Sequence, residues 1–132
     1  MVRLLKFTQC AIAALSGVAM GELADAAPIA TDPARGRVVF QQKCAICHVA
    51  TRVGNPGVGP NLFGVIGRKS GSLPSYNYSK AMKANGIIWT EAKLNSYLAA
   101  PQQSVPGTKM PFGGLKESVK AADLIAYLAT LK

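Results

Sequence analysis

Apolar residues recur at helical spacing in three places along this chain, and nowhere do they alternate with polar ones for long enough to make a strand. The clearest case comes last. From about Glu117 to Leu131, residues Leu124, Ile125, Leu128 and Leu131 return every three or four positions, and Lys120 and Asp123 fall on the polar face. A second stretch, Glu91 to Ala99, puts Leu94, Tyr97 and Leu98 on one face behind Thr90 as N-cap, and Pro101 stops it. The first starts from Asp32 as N-cap with Pro33 as its first residue and continues through Val39, Phe40 and Lys43 to about Cys44. Between them lie "GNPGVGPNLFG", "KSGSLPSYN" and "PQQSVPGTKMPFGG", all turn-type sequence. The pattern predicts an all-α domain of short helices and long Gly/Pro-rich loops. A domain near 100 residues with so much irregular backbone buries little apolar surface of its own, so a large apolar group is needed to complete its core.

The beginning of the chain has a different pattern. "MVRLLK" carries two positive charges, Cys10 to Met20 is an unbroken run of apolar and small residues, and Ala24-Asp25-Ala26 supplies a small-x-small cleavage site. Residues 1–26 therefore read as a secretory signal, with retention as an uncleaved anchor the alternative. The apolar run is about half of the roughly 20 residues that span a bilayer, which favours cleavage. Residues 27–132 then form one domain. The leader does not explain the basicity, because its charges cancel and the full excess of +9 stays with the domain. Such an excess suits an acidic partner surface or anionic lipid, or serves solubility. The lysines are scattered singly and the chain is exported, so nucleic acid is the weakest partner.

Chemistry concentrates in "KCAICHVA", Lys43 to Ala50, where two cysteines three positions apart are followed by the only histidine. Cys10 lies in the leader, so the domain has two cysteines, too few for a disulfide scaffold. Structural zinc wants four Cys or His ligands and nearly runs out of them. A thioredoxin-like pair belongs beside a strand in an alternating strand-helix pattern, which is missing. A C-x-x-C-H spacing sets both thiols to add to the two vinyl groups of haem, with the adjacent imidazole aimed at the iron. The motif therefore predicts one covalent haem through Cys44 and Cys47, with His48 on the metal. No second histidine exists to complete the iron, and once Met1 and Met20 leave with the leader only Met82 and Met110 remain. Met110 is the better ligand. "PGTKMPF" is a constrained turn that can present a thioether, whereas Met82 sits in "KAMKAN" among lysines. Closing both axial positions leaves no open site for oxygen chemistry, the coordination of an electron carrier.

Read in order, "GRVVFQQKCAICH", "GPNLFGVIGRKSG", "YNYS", "GIIWT", "YLAAP", "PGTKMPF" and "DLIAYL" resemble the class I cytochrome c family, its mitochondrial and bacterial respiratory members, from about Gly36 to Leu128. The resemblance implies the cytochrome c fold around the haem. It implies that the carbonyl of Pro60 accepts the His48 ring proton, and that Arg68, Tyr78 and Trp89 hold a buried haem propionate. Tyr97 and Thr108 become polar groups beside Met110, and Gly36 and Phe40 pack against Leu124 and Tyr127. Lys43, Lys109 and Lys116 would surround the exposed haem edge and meet acidic docking surfaces of membrane redox complexes. Three departures stand out. Met82 replaces the asparagine of animal members, which thins the distal polar network. Pro56 replaces a histidine that ties two loops, leaving that loop to the stiffness of proline and glycine. Gln102 replaces a common lysine beside the haem edge.

The function expected is a soluble, monomeric one-electron carrier of the periplasm, between a quinol-cytochrome c oxidoreductase and a terminal oxidase or other acceptor. It is not an enzyme. A haem peroxidase-like enzyme lacks a distal histidine for acid-base work and is the weaker reading. A dedicated cytochrome subunit of a dehydrogenase is the third.

Overall fold

A computed structural model describes residues 30–132, so the expected leader, 1–26, lies outside the described residues. Five helices follow in order: α1 (Pro33–Lys43), α2 (Lys80–Asn85), α3 (Glu91–Ala99), α4 (Pro101–Ser104) and α5 (Ser118–Thr130). The only β pairing among the described residues is one antiparallel bridge between Lys69 and Ile88. The all-α expectation holds.

Local signals account for the three helices expected from the pattern. Asp32 caps α1 by accepting from the Ala34 N–H at 2.8 Å, and Pro33 opens the helix at a position that needs no donor. Thr90 caps α3 through the Lys93 N–H. The helix α5 lies one residue inside the expected limits at each end. Helices α2 and α4 have fewer than two turns, too short to print a periodicity, although Ser79 caps α2 and the left-handed Gly86 ends it. Pro101 both ends α3 and, as the first residue of α4, redirects the chain after the non-helical Ala100.

The frame is the crossing of α1 over α5. Gly36 lies against the Asp123 backbone carbonyl, and a Cβ there would also sit 2.8 Å from the Tyr127 Cβ, so only glycine allows this approach. Next to it the rings of Phe40 and Tyr127 tilt together with centroids 5.6 Å apart, and Leu124 is fully buried in the same cluster. Asp123 requires a correction: it is not on the polar face. Its side chain is 3% exposed and accepts from Arg35 Nε at 2.7 Å, Arg35 Nη2 at 3.0 Å and the Asp32 N–H at 2.7 Å. A buried carboxylate is tolerable because its lone pairs are met by these donors.

Loops, not helices, make most of the remaining wall, and backbone bonds fix them. Leu115 N–H reaches the Leu98 carbonyl at the end of α3, Gly64 N–H reaches Leu131 past the end of α5, and Trp89 N–H reaches Arg68. The Asn61 amide binds the Thr51 and Gly54 carbonyls and accepts from the Phe63 N–H, tying residues 51–63 to themselves. The loop holding Pro56 has more than proline and glycine to stiffen it: Tyr76 Oη donates to the Val58 carbonyl at 2.8 Å and supplies a tie between loops.

Candidate functional site

Cys44 is the C-cap of α1, its N–H returning to the Phe40 carbonyl at 2.8 Å. From there the chain winds one tight turn in which Cys47 and His48 both donate backbone N–H groups to the Cys44 carbonyl, at 3.0 and 2.9 Å. That turn puts two thiols and an imidazole on one wall of a cavity of about 280 Å³. All ten site residues expected from the sequence line this cavity: Cys44, Cys47, His48, Pro60, Arg68, Tyr78, Trp89, Tyr97, Thr108 and Met110. Leu62, Leu94, Leu98, Phe112 and Leu128 make the rest of its wall mostly apolar, with Ser79 and Tyr76 among them. Met82 also lines it, buried on α2, so its flanking lysines in "KAMKAN" point elsewhere.

The imidazole is held in one tautomer. His48 Nδ1 is 2.8 Å from the Pro60 carbonyl, which can only accept, so Nδ1 carries the hydrogen and Nε2 keeps its lone pair. Burial lowers the His48 pKa, opposed by the Pro60 bond, and the ring is neutral at pH 7. Gly59 has a role at this site that its turn-type surroundings do not reveal. A Cβ there would sit 2.7 Å from His48 Nδ1 and 2.8 Å from Nε2, and its N–H bonds the Cys47 carbonyl at 2.8 Å. The signal lay within "GPNLFG", where the first glycine was legible only as turn chemistry.

On the other polar side, Arg68 donates to the carbonyls of Asn61 at 2.8 Å and Phe63 at 3.3 Å. Burial lowers its pKa and the nearby Tyr78 opposes this, while burial raises that of Tyr78 against the opposing charge of Arg68. Trp89 stacks at a tilt on Tyr97, centroids 5.1 Å apart. Tyr97 Oη and Thr108 Oγ1 share a buried hydrogen bond of 2.9 Å, and Thr108 Oγ1 accepts a long bond from the Met110 N–H. Burial keeps the Tyr97 phenol above its ordinary range.

At the rim, Ile46 and Val58 stand 87% and 74% exposed beside Lys43 and Lys109. Lys109 Nζ donates to the Asn77 carbonyl at 2.8 Å. Lys116 does not line this cavity. It borders a smaller depression with Gln102 and Phe112, and its ammonium donates to the Ala99 carbonyl at 2.7 Å.

The donor set does not suit a structural zinc ion, which wants four ligands, since among the described residues no group of three or more His, Cys, Asp or Glu side chains is placed to hold a metal. The donor set fits haem instead. Two free thiols lie on one wall, one neutral imidazole has a free Nε2, and a thioether and a large apolar hollow accompany them. Burial pushes the Cys44 thiol up to about 11, with the neighbouring Cys47 adding to the effect, so this thiol stays protonated in the free chain. The fold and site define a c-type haem protein that carries electrons.

The chain belongs to the cytochrome c family, whose sequence model matches residues 33–132. It is 54% identical over 97 residues to cytochrome c of Theileria annulata, covering 74% of this chain and 84% of that one. Over 101 residues, 76% of this chain, it is 52% identical to cytochrome c2 of Rhodomicrobium vannielii and 48% to cytochrome c2 of Rhodopila globiformis, covering 80% and 94% of those proteins. One haem is attached through Cys44 and Cys47.

Proposed function

We propose that this cytochrome is a soluble one-electron shuttle and not an enzyme, with His48 and Met110 as the two axial ligands of its haem. The bound haem supplies a one-electron iron couple, whose potential an imidazole-thioether pair raises. Everything else is done by the chain. The Pro60 carbonyl orients His48 and keeps Nε2 available. Met110 comes from a loop whose backbone is pinned by Thr108, while Met82 is packed within the core cluster and fills space. Arg68, Tyr78 and Trp89 provide donors for a haem propionate, and the apolar wall excludes water. The single observation that carries this reading is that every expected ligand and donor lines the same apolar cavity.

Lys43 and Lys109 at the rim fit acidic docking surfaces of a quinol-cytochrome c oxidoreductase and of a terminal oxidase or other acceptor, and Lys116 stands one step away. The leader-type start and the match to two cytochromes c2 support the periplasm as its place of work. The peroxidase reading is weaker because the chain has one histidine, already used. The deciding experiment is spectroscopic: the ferric holoprotein should show the absorbance band of a thioether bound to iron and should take up added ligands slowly. Rapid ligand uptake with no such band would favour the enzyme. A mass measurement on exported protein tests haem attachment and leader cleavage together.

A further inference from the structure

Gln102 is the second residue of α4 and is exposed, yet both hydrogens of its side-chain amide nitrogen are engaged. Nε2 donates to the Thr108 carbonyl at 3.2 Å and to the Met110 carbonyl at 3.1 Å. These two carbonyls flank Lys109, so one primary amide spans the segment that presents Met110. The same segment is held from inside by Thr108 Oγ1, bonded to Tyr97 Oη at 2.9 Å and reached by the Met110 N–H. From the outer side the hold depends on Gln102 and on Lys109 Nζ, which reaches away to the Asn77 carbonyl. Helix α4 is a firm base for such a strut, since Pro101 is fully buried and its carbonyl takes the Val105 N–H at 2.9 Å.

We propose that Gln102 is a positioning residue that clamps the Met110 loop and limits how often Met110 leaves the haem. This rests on the reading of Met110 as axial ligand. A planar amide has two N–H donors in fixed divergence and no charge, which suits two carbonyls two residues apart. A lysine at this place is a hydrated point charge on a longer, freer stem and holds them less well. An alanine holds neither. The residue that would have carried docking charge is, in this chain, part of the support for the ligand loop.

The test uses the ferric holoprotein and free imidazole as probe, following the thioether-iron band as imidazole displaces Met110. The variants are Gln102→Ala, Gln102→Glu, Gln102→Lys and, as control, Gln103→Ala, one residue along α4. Losing two hydrogen bonds whose acceptors water then satisfies should raise the displacement rate of Gln102→Ala about tenfold. Gln102→Glu, which turns a carboxylate toward two carbonyls, should be faster still, and Gln102→Lys should lie between wild type and alanine. Gln103→Ala should stay within twofold of wild type. Amide hydrogen exchange from Thr108 to Phe112 should quicken in the same order, with the global denaturation midpoint of Gln102→Ala unchanged. A rate for Gln102→Ala within twofold of wild type, an equal rise in Gln103→Ala, or a rise matched by loss of global stability would overturn the clamp. If the wild type lacks the thioether band, the axial reading of Met110 is what fails. Exchange at Thr108 to Phe112 then decides the clamp by itself: quickening in Gln102→Ala supports it and no change overturns it.

Discussion

Gly59 has no side chain because the His48 imidazole occupies the place one would fill, with ring nitrogens 2.7 and 2.8 Å from where a Cβ would stand. The ring cannot retreat without breaking its bond to the Pro60 carbonyl. Gly59→Ala should therefore destabilise the folded protein by roughly 1–3 kcal/mol, the usual range for overpacking, and lower the yield of haem-loaded protein. Denaturant unfolding and the ratio of haem to protein absorbance measure the two effects. An unchanged ratio and midpoint would show that the ring has freedom to move. The two cavity methionines separate in the same way. Met110→Ala should open the iron to ligands and lower the potential strongly, because a thioether favours reduced iron. Met82→Leu keeps the volume of a buried side chain and should cost less than about 1.5 kcal/mol while leaving the six-coordinate spectrum intact. A spectrum lost in Met82→Leu and kept in Met110→Ala would reverse the assignment.

Among the elements, α1 and α5 depend on each other through Gly36 and through Asp123. The Arg35 side chain, then the Asp32 N–H, hold the Asp123 pKa below the ordinary carboxylate value, against the opposing effect of burial. A carboxylate with a lowered folded pKa stabilises the fold fully above its unfolded value of about 3.9, and that contribution disappears as pH falls through the folded value. Asp123→Asn should thus be less stable than the parent at pH 7, and the gap between their denaturant midpoints should close below about pH 4. A gap independent of pH would mean that shape, not charge, matters at this crossing. Loops fill the space between the helix pairs, and α4 illustrates why a four-residue helix is useful there. Its first residue redirects the chain out of α3, and its second reaches back to the loop that α3 faces through Tyr97.

For the molecule as a whole, the described residues carry only four acidic groups, and two of these, Asp32 and Asp123, are occupied by Arg35. The surface is left strongly basic. Exposed charges add little to stability, so their effect falls on encounter with an acidic partner. The Debye length shrinks from about 30 Å at 0.01 M salt to about 8 Å at 0.15 M, so the second-order rate with a membrane oxidase should fall steeply across that range. Lys43→Glu should reduce that rate at low salt with no change in the haem spectrum. Lys43 is the cleanest of the three lysines to test, because the ammonium groups of Lys109 and Lys116 also hold the Asn77 and Ala99 carbonyls. A rate indifferent to salt and to Lys43→Glu would leave solubility as the purpose of the charge and an apolar rim, Ile46 and Val58, as the contact.

What could be read directly from the sequence was whatever depends on neighbours along the chain. The C-x-x-C-H spacing, the caps at Asp32 and Thr90 and the apolar faces of α1, α3 and α5 are all local, because a helix repeats within four residues and a haem-binding turn within five. The resemblance to the family adds Pro60, Arg68, Tyr78, Trp89, Tyr97 and Thr108, which line the same cavity, but assigns nothing to Gly59. Tertiary structure decided what depends on groups far apart. The periodicity of its own helix puts Asp123 on a polar face, but its donors come from residues 32 and 35. Gly59 and Gln102 gained their roles from a ring and two carbonyls that no spacing announces. Lys116, expected at the rim, is drawn to the end of α3. Periodicity records which way a side chain faces from its own element, and only packing decides what it meets there.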